Sequence, residues 1–221
     1  MNATASFAVV VVLVGAYLLG SVPFAIVFSR LFGLPDPRSF GSGNPGATNV
    51  LRSGSKAAAL LTLMGDSGKG AAAVLLCRGL LPLADLPEFL PAWAGAAAFA
   101  GHLYPVFLRF RGGKGVATFL GTLLALVPLV GVATCLLWVM IAGLFRYSSL
   151  ASVVSASAVA LALWRISAPL PTTLAVLLMS LFLVWRHRRN IAQLWAGTES
   201  KIGARVAPAA AAQSQGEGSL R

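Results

Sequence analysis

Residues Gly41–Arg52, GSGNPGATNVLR, form a polar stretch between two long apolar segments near residues 7–28 and 56–80. Glycines at positions 41, 43 and 46 let the backbone adopt left-handed angles and turn its N–H groups toward one point, an arrangement that binds anions. Further donors come from side chains, namely Ser42, Asn44, Thr48, Asn49 and Arg52. The stretch therefore predicts an anion site between two membrane helices. The alternative is a flexible connector whose glycines only turn the chain.

The composition is that of a membrane protein. Of 221 residues, 57% are hydrophobic and 10% are charged, with 17 Lys and Arg against 6 Asp and Glu. Nucleic-acid binders carry such a basic excess on a soluble face, and no segment between the apolar runs is long enough to form one. We therefore expect no nucleic-acid partner. The cysteines, Cys77 and Cys135, stand singly in apolar runs, so we expect no disulfide, metal or cofactor.

Apolar segments of about 20 residues mark helical spans. We place seven, near 7–28, 56–80, 91–108, 116–129, 130–145, 150–164 and from Pro169 to about 190. The predicted fold class is an all-α integral membrane protein with seven transmembrane helices in one domain, residues 1–205. Residues 206–221, rich in Ala, Gln, Gly and Ser, are predicted to be a disordered cytoplasmic tail.

The basic residues set the predicted orientation. Seven spans place the termini on opposite sides, and fourteen of the 17 Lys and Arg residues then fall on one side. Arg78 and Arg165 lie on the other side, and Lys69 lies within a span. The positive-inside rule makes the basic side cytoplasmic and the N-terminus external. Three polar motifs are then expected together at the cytoplasmic interface, and they are residues 41–52, 111–118 and 186–199.

The second motif, GGKGVAT at 112–118, lies at the predicted start of the fourth helix. Free backbone N–H groups and the positive end of the helix dipole favour an anion there, and Lys114 can reach the same anion. A nucleotide-binding P-loop is not indicated, because both its glycine spacing and the Ser or Thr after its Lys are missing. The alternative is a basic turn at the membrane interface.

The third motif contains His187 and Asn190, which share a face if the seventh helix continues through them. His187 is a candidate general base or, when protonated, a phosphate ligand. Glu199 follows Gly197, which we expect to end the helix. In the alternative, His187 has no functional role, and the arginines beside it anchor the helix at the membrane interface, namely Arg186, Arg188 and Arg189.

Asp66 and Lys69 lie three residues apart within the second predicted span. An ionised side chain at the bilayer centre costs about 2.5 to 3.5 kcal/mol, so we expect a pair that either neutralises itself or contacts a ligand. His102 is predicted to be a core histidine bonded within the bundle. With so few carboxylates, the candidate site is suited to binding phosphates and stabilising their charge rather than to moving protons.

The motifs together resemble those of the bacterial acyl-phosphate:glycerol-3-phosphate acyltransferases, the PlsY family. The matching stretches are GSVP at 20–23, GSGNPGATNVLR at 41–52, DSGKG at 66–70, GHLYPVF at 101–107, GGKGVAT at 112–118 and RHRRNIAQLWAGTE at 186–199. The resemblance implies a seven-helix enzyme of the bacterial inner membrane, with its active site facing the cytoplasm. The implied reaction moves a fatty acyl group from acyl phosphate to the 1-hydroxyl of glycerol 3-phosphate. It yields lysophosphatidic acid and inorganic phosphate, a step of phospholipid biosynthesis.

The resemblance also implies roles residue by residue. The essential serine and arginine of the family's first motif correspond to Ser42 and Arg52, and the histidine and asparagine of its third motif correspond to His187 and Asn190. The glycine-rich motif associated with glycerol 3-phosphate corresponds to Gly112, Gly113, Lys114 and Gly115, and a mainly structural glutamate to Glu199. In the route proposed for the family, the substrate phosphate helps deprotonate its own hydroxyl, and His187 mainly binds phosphate. We add as phosphate-binding candidates Gly41, Gly43, Asn44, Thr48 and Asn49, and as supporting residues Asp66 and Lys69.

Two other classes of protein stay open on the sequence. A small transporter of a phosphorylated solute would explain the mid-span pair, although transporters usually have repeated halves and no second copy of GSGN or GGKG is present. A non-catalytic scaffold would use the basic rim to bind anionic lipid. We expect a monomer in membrane lipid, because the motifs complete one site within one chain.

Overall fold

The structure, a computed structural model, describes residues 3–204 apart from the side chain of Ala84, and this part of the chain is helical. Its α-helices are α1 (Ala3–Ser21), α2 (Phe24–Leu31), α3 (Ala47–Leu51), α4 (Lys56–Ala84), α5 (Leu90–Leu103), α6 (Val116–Leu126), α7 (Pro128–Phe145), α8 (Ser148–Arg165), α9 (Leu170–Arg186) and α10 (Arg188–Trp195). The all-helical prediction is confirmed. The predicted tail at 206–221 lies outside the described residues.

Two of the predicted spans are interrupted. The first is divided between α1 and α2 beside Pro23, which has no N–H to continue the helix. The last is divided at His187, where α10 departs from the direction of α9 by 52°. His187 and Asn190 were expected to share a face only if the helix continued through them, and that condition is not met. Gly197, with a φ of 69°, follows the end of α10 as predicted.

Several helices are long and apolar enough to cross a membrane. Within the described residues four segments qualify, and α9 with α10 makes a fifth if the bent pair counts as one span. The four are Ala3–Leu31, Lys56–Leu83, Pro128–Phe145 and Ser148–Arg165. Helices α5 and α6 have only 14 and 11 residues. These helices agree with an integral membrane protein, and seven spans stay a prediction.

The outside of the bundle is apolar along most of its helices. Exposed large side chains include Phe7, Leu129, Leu144, Leu161 and Leu181. A soluble monomer rarely exposes so extended an apolar surface, whereas lipid tails solvate it without cost. The surface therefore agrees with the membrane assignment.

Small residues let the helices of the core approach closely. A Cβ on Gly20 would lie 2.0 Å from the carbonyl oxygen of Ala98, so α1 packs directly on the backbone of α5. A Cβ on Gly121 would lie 2.0 Å from the carbonyl oxygen of Ser67, which brings α6 equally close to α4. Small residues at such crossings are the usual basis of helix packing in membranes. These contacts fix α1 against α5 and α4 against α6.

We expect Gly121→Ala to destabilise the protein by about 1 to 3 kcal/mol or more, because the added methyl group meets backbone atoms that cannot rotate away. The matched control is Gly79→Ala in α4, where an added Cβ meets no atom within 4 Å. That control should be neutral or slightly stabilising, since Ala favours a helix more than Gly by about 1 kcal/mol. Thermal unfolding in detergent measures both. Equal melting temperatures for Gly121→Ala and the parent would contradict the close packing of α4 on α6.

Candidate functional site

Four separate segments of the chain meet at one end of the bundle. Thr48 in the first polar stretch hydrogen-bonds Ser148 at the start of α8, with 3.2 Å between the hydroxyl oxygens. Lys114, between α5 and α6, donates to Asn190 Oδ1 of α10 over 2.5 Å. Glu199, beyond α10, is joined to the same end by Asn190 Nδ2, which donates to both carboxylate oxygens at 2.9 and 3.0 Å. The structure thus brings the three predicted motifs together.

The first polar stretch folds back on itself rather than presenting its N–H groups to a ligand. Gly41 and Gly43 have left-handed φ values of 57° and 65°, as predicted, whereas Gly46 is extended with a φ of −150°. The N–H of Ser42 donates to Asn49 Oδ1, and those of Gly43 and Gly46 donate to carbonyl groups within the loop. The predicted nest of free backbone donors is therefore wrong at these three positions.

Asn49 organises this stretch. Its side chain is buried and donates to the carbonyl oxygens of Pro37 at 2.6 Å and Phe40 at 3.1 Å. Its Oδ1 accepts from the Arg52 guanidinium at 3.3 Å. A Cβ on Gly41 would lie only 2.4 Å from that oxygen, so the loop requires glycine there. Asn49 thus acts as a scaffold that positions Arg52, while Ser42 stands exposed at the rim and Asn44 is half-buried.

The glycine loop, residues 112–115, is also held by internal bonds. The N–H of Gly112 donates to Leu103 O at 3.2 Å, and that of Gly113 donates to His102 O at 3.1 Å. A Cβ on Gly112 would lie 2.2 Å from His102 O, and Gly115 has a φ of 83°. These glycines are therefore required by close packing and by backbone angle. The N–H groups of Gly112 and Gly113 are thus not free for an anion, because both are already bonded. The expected free N–H groups at the start of α6, which begins at Val116, stay a prediction.

Arg186 holds the glycine loop from the other side. Its guanidinium donates to Gly112 O at 2.9 Å and to Gly113 O at 2.9 and 3.1 Å. It also lies over the Tyr104 ring, 5.7 Å from the centroid. From the sequence, Arg186 was expected only as an interface anchor, because nothing in the local pattern distinguishes it from Arg188. Its position makes it a clamp on the loop that carries Lys114.

Lys114 is the cation at the centre of the cluster. Burial lowers its pKa to about 8, a change that Glu199 opposes and that the positive charges of Arg52 and Arg186 reinforce. At pH 7 the ammonium group is therefore charged, yet it loses its proton far more readily than an ordinary lysine. Arg52 is half-buried and is attracted by the same carboxylate of Glu199. Two cations thus share one carboxylate, which leaves an excess of positive charge for an anionic ligand.

His187 lies in the link between α9 and α10 and is buried. Its Nδ1 is 2.8 Å from the carbonyl oxygen of Leu183. Because a carbonyl only accepts, Nδ1 must carry the proton, and Nε2 of the neutral ring is then an acceptor. Burial, followed by the charge of Lys114, lowers the pKa of His187 to about 4. In the unliganded protein His187 is thus neutral.

Ser149 was not a sequence candidate, yet it completes the cluster. Its hydroxyl donates to Glu199 Oε1 over 2.6 Å from the first turn of α8. The fifty residues between the two leave no spacing signal, so only the fold could reveal the contact. Glu199 therefore accepts from Ser149 and Asn190 together, which agrees with a supporting role for this carboxylate.

Asp66 and Lys69 form the neutralising pair that was one of the two expectations. Lys69 Nζ lies 2.8 Å from Asp66 Oδ1, and both side chains are buried. His102 Nδ1 lies 3.5 Å from the same oxygen. His102 is thus a core histidine with a partner inside the bundle, as predicted.

An open cleft of about 610 Å³ lies between the first polar stretch and the glycine loop. Its walls include Asp36, Arg38, Gly43, Arg111, Gly112 and Arg186. The cleft shares Gly112 and Arg186 with the clamp described above. It is large enough for a phosphorylated headgroup and opens beside Lys114 rather than on it.

Comparison with known proteins gives the family. The profile of the glycerol-3-phosphate acyltransferases matches residues 10–197. A glycerol-3-phosphate acyltransferase of Burkholderia vietnamiensis (strain G4 / LMG 22486) is 52% identical over 216 residues, covering 93% of this chain and 96% of the relative. One from Burkholderia orbicola (strain MC0-3) is 56% identical over 191 residues, covering 85% of this chain and 90% of the relative.

Two crystal structures share the fold. The glycerol 3-phosphate form of PlsY, described as an integral membrane glycerol 3-phosphate acyltransferase, matches with a TM-score of 0.81 and 36% identity over 89% of this chain and 96% of that chain. Its lysophosphatidic acid form matches with a TM-score of 0.80 and 35% identity over the same shares. The profile covers well over half of the residues, and the relatives match nearly end to end. The chain is an acyltransferase that belongs to the glycerol-3-phosphate acyltransferase family.

Proposed function

We propose that this enzyme transfers a fatty acyl group from acyl phosphate to the 1-hydroxyl of glycerol 3-phosphate, releasing inorganic phosphate and lysophosphatidic acid. The observation that carries the proposal is the meeting of Arg52, Lys114, His187 and Asn190 at one end of the bundle, with an excess of positive charge. The names of the relatives and the glycerol 3-phosphate and lysophosphatidic acid forms of PlsY support the same acceptor and product.

The chemistry suits a site that is rich in cations and poor in bases. The hydroxyl oxygen of glycerol 3-phosphate attacks the acyl carbonyl carbon, and the bond from that carbon to the phosphate oxygen of the donor breaks. The donor phosphate leaves with the electron pair, and the hydroxyl proton passes to a phosphate oxygen. Because phosphate is already a good leaving group, the protein needs mainly to hold two anions close together and to stabilise their charge.

Within this scheme Lys114 and Arg52 bind phosphate, and Ser42, exposed on the adjoining loop, adds a hydroxyl donor. Asn190 orients the Lys114 ammonium group, and Glu199 fixes Asn190. Gly112 and Gly113 provide close approach rather than N–H ligands, because both of their N–H groups are already bonded. Asn44 lies within the first loop, and Thr48 attaches that loop to the start of α8. Asn49 accepts a hydrogen bond from Arg52 and so holds it in place.

His187 is better suited to orienting the hydroxyl than to binding phosphate, which revises our expectation from the sequence. Its neutral ring has Nε2 as an acceptor, so it can receive a hydrogen bond from the 1-hydroxyl. With a pKa of about 4 it is a weak base. The phosphate of the substrate, whose second pKa is about 6, is the stronger base of the two. We therefore assign the proton to the substrate phosphate, with His187 Nε2 orienting the hydroxyl that loses it.

We also propose the seven-span topology in a bacterial inner membrane, with the N-terminus outside and the site facing the cytoplasm. The loops that follow α2, α5, α7 and α9 are joined by hydrogen bonds at one end, so an even number of crossings separates each from the next. Short α6 then crosses as one arm of a hairpin with α7. The basic residues of these loops suit the cytoplasmic side. A complete site within one chain favours a monomer.

Purified protein supplied with acyl phosphate and glycerol 3-phosphate should release inorganic phosphate only when both substrates are present, and lysophosphatidic acid should form in equal amount. In sealed vesicles, added glycerol 3-phosphate should be consumed when the cytoplasmic face is outward and not when it is inward. Flux of a phosphorylated solute without turnover would instead indicate a transporter. Lipid binding without either activity would indicate a scaffold.

The pH dependence of catalysis should report Lys114. Below pH 8 its ammonium group is charged and attracts phosphate, and above pH 8 the neutral amine does not. We expect kcat/KM for glycerol 3-phosphate to fall as pH rises through about 8, and kcat to fall at higher pH, since bound phosphate raises the pKa of the lysine. Lys114→Arg should retain part of the activity and lose this alkaline limb, because a guanidinium stays charged up to about pH 12. The same limb in Lys114→Arg would exclude Lys114 as its source.

A further inference from the structure

Three buried polar residues, Asp66, Lys69 and His102, lie directly beneath the glycine loop, and we call them the buried support. None of them takes part in the proposed chemistry. They line a small cavity together with Gly112 and Gly113, so the cluster reaches from the bundle core to the loop. A salt bridge that only neutralised its own two charges would need neither His102 nor a position next to the glycine loop.

One end of the buried support is fixed to the helix break at Pro23. Lys69 Nζ donates to Asp66 Oδ1 at 2.8 Å and to Val22 O at 3.0 Å. The carbonyl of Val22 lies where α1 ends, so it has no continuous helix to bond within. The ammonium group therefore ties α4 to the α1–α2 break through a buried, charge-assisted hydrogen bond.

The other end of the buried support touches the glycine loop. His102 Nδ1 lies 3.5 Å from Asp66 Oδ1, which orients the ring. The opposite ring nitrogen, Nε2, lies directly under Gly113, where an added Cβ would be only 2.2 Å away. The carbonyl of His102 also accepts the N–H of Gly113. His102 thus supports Gly113 with its ring and with its backbone.

Arg186 closes the loop from above through the carbonyl groups of Gly112 and Gly113. The two glycines are therefore held between Arg186 and His102, and the next residue along the chain is Lys114. A shift of the loop by a fraction of an ångström would move the lysine away from Asn190. Misplacement of a catalytic or binding group by about 1 Å can cost a hundredfold in rate.

We propose that Asp66, Lys69 and His102 are positioning residues that set the glycine loop, and with it Lys114, in the geometry that binds the phosphate of glycerol 3-phosphate. This inference rests on the proposed function, because it takes Lys114 as a phosphate ligand. It assigns the charged pair within the membrane helix to substrate binding through His102, without contact to the substrate.

The first test is His102→Ala, measured by steady-state kinetics in the purified full-length enzyme. We expect KM for glycerol 3-phosphate to rise about ten- to a hundredfold with kcat changed by less than about threefold. The alkaline limb of kcat/KM should move to higher pH, because a displaced Lys114 is less buried and less crowded by Arg52 and Arg186. The matched control is Thr62→Val, one turn earlier on α4, where the buried hydroxyl bonds only its own helix at Ala58 O. That control should leave both quantities unchanged.

Gly113→Ala tests the same contact from the loop side and leaves the buried support intact. Its methyl group meets His102 Nε2, so we expect the same rise in KM and the same shift of the limb. In the double variant His102→Ala/Gly113→Ala the imidazole ring that the new methyl group would meet is absent. Adding Gly113→Ala to His102→Ala should therefore raise KM little further, and a double-mutant cycle measures this as coupling. If His102→Ala does not fold, KM and the alkaline limb of Gly113→Ala alone test the proposal.

Additive effects of the two substitutions would overturn the proposal, and so would an unchanged KM and alkaline limb in Gly113→Ala. A loss of kcat in proportion to the amount of folded enzyme, with the limb unmoved, would reduce the buried support to a purely structural role. These outcomes differ from failure of the proposed function, in which the parent enzyme itself would release no phosphate in the presence of glycerol 3-phosphate.

Discussion

The carboxylate of Glu199 is the constraint on which the candidate site depends. Among the described residues of the cluster it is the acidic group, and it lies among the cations Arg52 and Lys114. It accepts hydrogen bonds from Ser149 on α8 and from Asn190 on α10. Asn190 in turn accepts from Lys114. One negative charge thus joins segments from both halves of the chain, and it offsets only part of the positive charge around it.

Partial neutralisation explains how the site is kept ready for an anion. Two cations close together in a half-buried position would repel each other, and one carboxylate lowers that cost without cancelling their attraction for phosphate. The low pKa of Lys114, about 8, records the remaining repulsion and the loss of water. Binding of a phosphate dianion supplies the missing counter-charge. The same residues therefore account for the stability of the empty site and for its preference for phosphorylated ligands.

The sequence predicted the structure best at positions where a residue type has few structural roles, as glycine has at a left-handed backbone angle. Left-handed angles were predicted for three glycines, and Gly41 and Gly43 adopt them whereas Gly46 does not. A neutralising pair was one of two expectations for Asp66 and Lys69, and the structure shows that pair. The prediction of free N–H donors was wrong at positions such as Gly43 and Gly112, because their partners, Phe40 O and Leu103 O, lie outside the motifs, and the second contact depends on tertiary structure. Arg186 and Ser149 could not be identified for the same reason. Their contacts join positions 50 or more residues apart, which no local spacing encodes.

Location of bound glycerol 3-phosphate in an experimental structure of this enzyme is the most direct test of the account. The phosphate group should lie within hydrogen-bond distance of Lys114 Nζ and the Arg52 guanidinium, with the 1-hydroxyl beside His187 Nε2. A phosphate bound instead among Arg38 and Arg111 in the open cleft, with Lys114 still bonded only to Asn190, would contradict the assignment of the site.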